Sequence, residues 1–342
     1  MPNSKTYYTA FAILCVLMFC CVLMNISLGS VAIPVSDVLD SLLGQSTNAS
    51  WQYIVLNYRL PKAITAILVG SGLGVSGLLM QTLFRNPLAG PFVLGISSGA
   101  SLGVALIILG SGILGGVFAG YLTSKWSVVI AASLGSFLVL LAVLIVSSRV
   151  RDTMAILIIG LMFASITGAI VGVLSYFSSA QQLQRYIFWG FGSLGNLSWQ
   201  EVLILAVLYT IGLFMSLSSV KTLNTLLLGE NYAKSLGLRI KRSRLVIILA
   251  TSILAGSITA FAGPIAFVGL AIPHVTRLVF NTSNHRVLLP AVIIFGAIIM
   301  LICDTIAQIP NSDYTLPINA ITSLVGAPIV IWLLVRKRNM VF

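Results

Sequence analysis

Apolar runs of bilayer length recur along nearly the whole chain, and they leave it few ways to fold. A crossing needs about 20 helical residues, and in lipid only helices or closed barrels satisfy every backbone N–H and C=O. The runs are continuous rather than alternating, which selects helices. Ten spans are expected, at approximately 7–28, 62–83, 92–110, 122–147, 154–177, 200–219, 244–262, 264–279, 287–306 and 316–335. The eighth is short and carries Pro273, so a kinked or partial span is expected there. The first has too long an apolar stretch, and no small-residue cleavage site, to read as a signal peptide. With 58% hydrophobic and 8% charged residues in 342, there is no sign of a soluble domain. The expected fold class is all-α, a polytopic membrane protein of about ten transmembrane helices forming one domain over 1–342.

Orientation follows from lysine and arginine, which favour the cytoplasmic side. With the N- and C-termini cytoplasmic, fifteen of the 19 basic residues fall inside, and Arg59, Lys62, Lys125 and Arg185 fall outside. The net charge of +12 therefore anchors topology. The charges are spread over membrane edges rather than gathered on one face, which excludes a nucleic-acid role. Cys15, Cys20, Cys21 and Cys303 lie in expected spans without metal-ligand spacing and read as packing residues. The longest outside segment, about 29–61, is expected to be a loop with a short helix; 178–199 is a second.

No ion relay and no ATP site is legible. Of the acidic residues Asp37, Asp40, Asp152, Glu201, Glu230, Asp304 and Asp313, none falls at mid-membrane, where ion-coupled carriers place such groups. A phosphate-binding loop needs a Gly-Lys pair ahead of Ser or Thr, and no Gly-Lys occurs. A transporter with neither an ion relay nor an ATP site needs an external motor or moves solute passively. The place to grip it is 222–237, a partly polar interruption between two spans, followed by the dense basic run Arg239, Lys241, Arg242, Arg244. Gly229 there allows a sharp turn between two short helices, and Glu230 sits near a helix start, where negative charge is favourable.

Four segments then fall in order. The first runs from Arg59-Leu60-Pro61-Lys62 through the glycines 70, 72, 74 and 77 to Arg85-Asn86-Pro87-Leu88-Ala89-Gly90-Pro91 and Leu94-Gly95. The second is Gly229-Glu230-x-x-Ala233-x-x-Leu236-Gly237. The third is Gly263-Pro264-Ile265-x-Phe267-Val268-Gly269, ending in Pro273-His274-x-x-Arg277. The fourth is Asp304-Thr305 with Pro317-Ile318 and Gly326-Ala327-Pro328. Ala89-Gly90-Pro91 recurs as Ala262-Gly263-Pro264, 173 residues later and on the other side of the expected topology, the pattern of an inverted repeat.

Together these closely resemble, from about 55 to 335, the permease family of ABC importers for iron-siderophores, haem and cobalamin (FecCD-type). The resemblance implies a multi-pass permease of the bacterial cytoplasmic (inner) membrane working as a homodimer or a pair of related halves. Two copies of an ABC ATPase subunit bind inside, and a periplasmic or extracytoplasmic substrate-binding protein docks outside. No cofactor is expected in this chain, ATP and Mg belonging to the ATPase, and the chain is not itself an enzyme. The resemblance further implies that 222–237 is the ATPase-coupling element, with Leu226, Gly229, Glu230, Ala233, Leu236 and Gly237 in it. It makes Arg59 and Lys62 docking charges for acidic residues of the binding protein, so that reversing both to glutamate weakens docking. Family members carry a further arginine after Asp-Thr; this sequence has Gln308 there. Ser147, Ser148 and Thr153 fall in the loop that the family uses as a gate. The glycines read as packing, and His274 as a packing histidine rather than a metal ligand. The cargo expected is a ferric siderophore, with cobalamin and haem as alternatives. An ion-coupled carrier and a non-transporting scaffold are the rival classes.

Overall fold

The computed structural model describes residues 4–46, 48–111, 124–149, 153–309 and 314–335. The described chain is helical. In order it forms α1 (Ser4–Ser27), α2 (Val35–Leu42), α3 (Ala49–Ile54), a π-helical turn (Val55–Arg59), α4 (Leu60–Phe84), a 3₁₀ turn (Pro91–Leu94) and α5 (Ile96–Ile108). It continues with α6 (Lys125–Arg149), α7 (Thr153–Tyr176), α8 (Ala180–Gly190), α9 (Trp199–Ser218), α10 (Val220–Leu227) and α11 (Glu230–Ser235). The last are α12 (Ile240–Ala262), α13 (Val268–Phe280), α14 (His285–Ala307) and α15 (Ile318–Val335).

Seven helices among the described residues are long and apolar enough to cross a membrane, and three shorter apolar ones lie at 96–108, 268–280 and 318–332. These ten stand where ten spans are expected. One span boundary and one loop segment differ. The second span begins at Ala49 rather than near 62. Pro61 does not start the helix, because the π turn before it widens the backbone where a proline ring would clash with the preceding turn. Segment 178–199 contains α8, whose N-cap Ser179 and Gln182 form a capping box. At the start of α9, Glu201 accepts from Ser198 N at 2.7 Å and from Ser198 Oγ at 2.8 Å.

The chain divides into two compact units. Unit 1 comprises 1–78, 193–207 and 265–342. Within it α14 packs against α1, α13 and α15, and α4 meets this group through glycine. A Cβ at Gly70 would lie 2.1 Å from the Gly296 carbonyl oxygen, and one at Gly77 only 1.5 Å from that of Gly269. In lipid the hydrophobic effect does not drive helices together, so close backbone approach and hydrogen bonding must. Buried hydroxyls turn back on their own helices, as Thr65 does to the Pro61 carbonyl at 2.8 Å and Thr276 to Ile272 at 2.8 Å.

Unit 2 comprises 79–192 and 208–264. Its centre is α5 against α6, with α7 and α12 packed on them. Cβ atoms at Gly99 and Gly103 would lie 2.4 and 2.0 Å from the carbonyl oxygens of Gly135 and Ala131. Ala100, Val104, Leu109 and Ala132 form the buried core, flanked by Tyr186 and Trp189 of α8.

Candidate functional sites: a helical elbow and a buried charge hub

The elbow belongs to unit 2. Gly229, at φ 104°, ends α10 and starts α11, a conformation that side-chain-bearing residues rarely adopt. Glu230 is the first residue of α11 and Lys234 lies in its last turn, each with the sign that complements the helix dipole. Arg244 of α12 donates to Glu230 Oε1 at 3.1 Å, across 14 residues. Leu223, Leu226 and Ala233 are buried and hold the elbow to its unit. Leu228, Tyr232 and Leu236 are 61%, 55% and 61% exposed, so an apolar surface is left uncovered. Gly237, at φ 82°, closes α11. A cavity of about 440 Å³ opens beside Gly229, lined by Phe84, Arg85, Leu228, Glu230, Asn231 and Tyr232.

The hub belongs to unit 1. Asp304, 2% exposed near the end of α14, gathers three donors. Lys62 Nζ lies 3.1 Å from its Oδ1. Asn25 Nδ2 and Gln308 Nε2 donate to its Oδ2 at 2.9 and 2.7 Å. A carboxylate buried at this depth is stable only if paired and hydrogen-bonded, and every polar neighbour named here serves that need. Gln308 thus holds the carboxylate where an arginine is expected by resemblance.

Arg59 differs from its expected role as an outward-facing charge. It is 8% exposed. Its Nη1 donates to the carbonyls of Ile26 and Ser27 at 2.6 and 2.8 Å, and Nη2 donates to Val31. The last carbonyls of a helix have no partner within it, and a cation there meets the negative end of the dipole. Arg59 therefore caps α1, and Gly29 leaves space for it, since a Cβ there would lie 3.0 Å from Arg59 Nη2. Lys62 is 19% exposed at its side chain. Both line a cavity of about 360 Å³ with Tyr58, Gln308, Tyr314 and Thr315.

The side chains of Ser147, Ser148 and Thr153 lie outside the described residues; the backbone places them at the end of α6 and the start of α7. His274 is buried in α13, and no group of three or more potential metal ligands occurs among the described residues. Sequence reasoning missed the two ion pairs and the α1 cap. For Asp304 a signal existed: an acid and Lys62 were both expected at the ends of spans on one membrane face, where each makes the other tolerable.

Ten apolar helices among the described residues, seven of them long enough to cross a bilayer, define the class, a multi-pass membrane protein. The chain belongs to the FecCD transport family, whose sequence model matches residues 16–336. It is 38% identical to the hemin transport system permease protein HmuU of Yersinia pestis over 300 residues, covering 87% of this chain and 88% of that one. It is 37% identical to the vitamin B12 import system permease protein BtuC of Klebsiella pneumoniae over 297 residues, covering 86% of each. A solved structure described as an inward-facing conformation of a metal-chelate type ABC transporter matches with a TM-score of 0.82 at 29% identity, covering 97% of this chain and 100% of that one. The protein is accordingly a multi-pass permease of a bacterial ABC importer family, and that family implies an ATPase and a substrate-binding protein as partners.

Proposed function

We propose that this chain is the conduit of an ATP-driven importer for a metal chelate, one domain over 1–342 with 222–237 as its coupling element, moved by two ATPase copies that seat on the elbow. ATP and Mg act in those partners. A second permease copy completes the path, and both termini lie in the cytoplasm of a bacterial inner-membrane assembly. The observation that carries this reading is the apolar surface of Leu228, Tyr232 and Leu236, exposed on a folded element that the basic run Arg239, Lys241, Arg242, Arg244 follows. Two helices held by Gly229 and the Glu230–Arg244 pair form a rigid lever that a partner cleft can grip.

Co-purification of the ATPase subunit tests it. Gly229→Val forces a β-branched residue to φ 104°, and ATPase recovery is expected to fall at least tenfold while the permease stays in the membrane. Full recovery and full uptake with Gly229→Val and Leu236→Asp would reduce the chain to a scaffold.

The cargo expected from the sequence is a ferric siderophore. Haem and cobalamin are equally supported, because two relatives are named for hemin and vitamin B12 transport. Competition among haemin, cyanocobalamin and a ferric hydroxamate for the purified binding protein decides between them. Docking of that protein rests on Lys62, with Arg59 behind it as a fixed positive charge. Lys62→Gln, which keeps an amide donor for Asp304, should weaken docking and its salt dependence; docking unchanged at low salt would remove Lys62 from the interface. Ser147, Ser148 and Thr153 are the proposed gate.

A further inference from the structure

Three helices end in the same hydrogen-bonded turn. After α2, Gly44 N donates to Ser41 O and Gln45 N to Asp40 O. After α11, Gly237 N donates to Lys234 O and Leu238 N to Ala233 O. After α4, Arg85 N donates to Thr82 O and Asn86 N to Gln81 O. This paired bonding needs a left-handed residue at its corner, where glycine is strongly favoured. Gly44 and Gly237 supply it at φ 71° and 82°; α4 uses Arg85 at φ 46°. An L-residue in that conformation is strained, a strain that the turn itself does not require. The side chain is the reason to look for.

The Arg85 side chain reaches the elbow. Nη2 donates to the Leu227 carbonyl at 3.1 Å, across 142 residues. That carbonyl is the last of α10, an acceptor that the helix cannot satisfy, and a cation suits it. Nη1 lies 3.5 Å from where a Cβ on Gly229 would stand, so the guanidinium covers the hinge between α10 and α11. From the other side the elbow is held by Arg244 of α12. Every one of these residues belongs to unit 2.

We propose that Arg85 is a positioning residue for coupling, a strut that makes segment 79–90, the end of α4 and the turn after it, follow the elbow when the ATPase moves it. This rests on the elbow being the ATPase seat. Arg244 ties the elbow to α12, the helix that follows it in sequence. Arg85 adds a tie to a helix more than 130 residues earlier in the chain. An arginine fork keeps its geometry under load better than a lysine, whose ammonium is a single flexible point.

Arg85→Gly is the discriminating variant, because it improves the turn while deleting the strut. Amide hydrogen exchange of 79–90 and of 220–237 is measured in the assembled permease–ATPase complex, nucleotide-free and with ATP plus vanadate. In the wild type, nucleotide is expected to change exchange in both segments. In Arg85→Gly the change in 220–237 should persist and that in 79–90 should fall at least threefold, with thermal stability equal or higher. Arg85→Lys should recover part of it. An undiminished response of 79–90 in Arg85→Gly would overturn the strut while leaving the elbow as the ATPase seat. No response of 220–237 in the wild type would overturn both.

Discussion

Each unit contains one half-length helix of 13 residues launched from a left-handed residue, and the two are built differently. In unit 2, α5 follows Gly95 at φ 74°. A Cβ there would also lie 2.9 Å from Val139 Cγ1, so glycine satisfies the backbone and the packing together. In unit 1, α13 follows Phe267 at φ 65°. That residue pays a conformational penalty, and its surroundings hold it. Asn319 Oδ1 accepts from Ala266 N at 3.0 Å, and α15 presents Gly326, where a Cβ would lie 2.4 Å from Phe267 Cβ. One turn is intrinsically permitted; the other depends on a neighbouring helix. Strain of this kind persists only where the surrounding structure enforces it.

The charges differ in the same sense. The unit 1 pair, Lys62 with Asp304, leaves the carboxylate 3% exposed, whereas the unit 2 pair, Arg244 with Glu230, leaves it 31% exposed. Unit 1 is thus built around fixed internal partners, and the unit 2 elbow keeps a surface to offer.

Substitutions can break this contrast. The largest effect is expected at Gly77, where a Cβ would stand 1.5 Å from a backbone oxygen that cannot move alone. Gly77→Leu should cost about 3 kcal/mol or more by overpacking, and size-exclusion chromatography should show little monodisperse protein. Next is Asp304→Ala, which takes the carboxylate from the Lys62 ammonium and the Gln308 amide, while Asn25 keeps Thr305 Oγ1 as an acceptor. A loss of about 3 kcal/mol is expected, read as a drop in Tm in detergent, whereas Glu230→Ala should lose less than about 1 kcal/mol. Equal losses at the two sites would erase the distinction between units. Third is Gly326→Ala, which presses on Phe267 and should destabilise by about 1–2 kcal/mol; adding Phe267→Gly should recover part of it, a coupling that a double-mutant cycle measures. Smallest is Gly256→Ala in α12, where the new Cβ meets only Ser136 Cβ at 3.8 Å and Ile96 Cγ2 at 3.9 Å. It should be neutral or stabilising by about 0.5 kcal/mol.

The span positions were legible because bilayer length and hydropathy are local properties, and the elbow's two helices were legible because Gly229 and Glu230 carry local signals. The capping of α1 by Arg59 was not legible, because its placement at a span end says nothing of what its side chain reaches. What it does is set by carbonyls some 30 residues away, and carbonyls leave no mark in composition. Asp304 was legible as part of a motif but not as a hub, since Asn25 and Lys62 reach it only in three dimensions. Helix α8 was missed although Ser179 and Gln182 stand at capping-box spacing.

Reconstitution in proteoliposomes tests the central claim most directly. The chain alone, given an ion gradient and haemin, cyanocobalamin or a ferric hydroxamate outside, should accumulate none of them. With its ATPase, its binding protein and ATP inside, it should concentrate one of them against a gradient. Accumulation by the chain alone, driven by the ion gradient, would contradict a conduit powered by a separate motor.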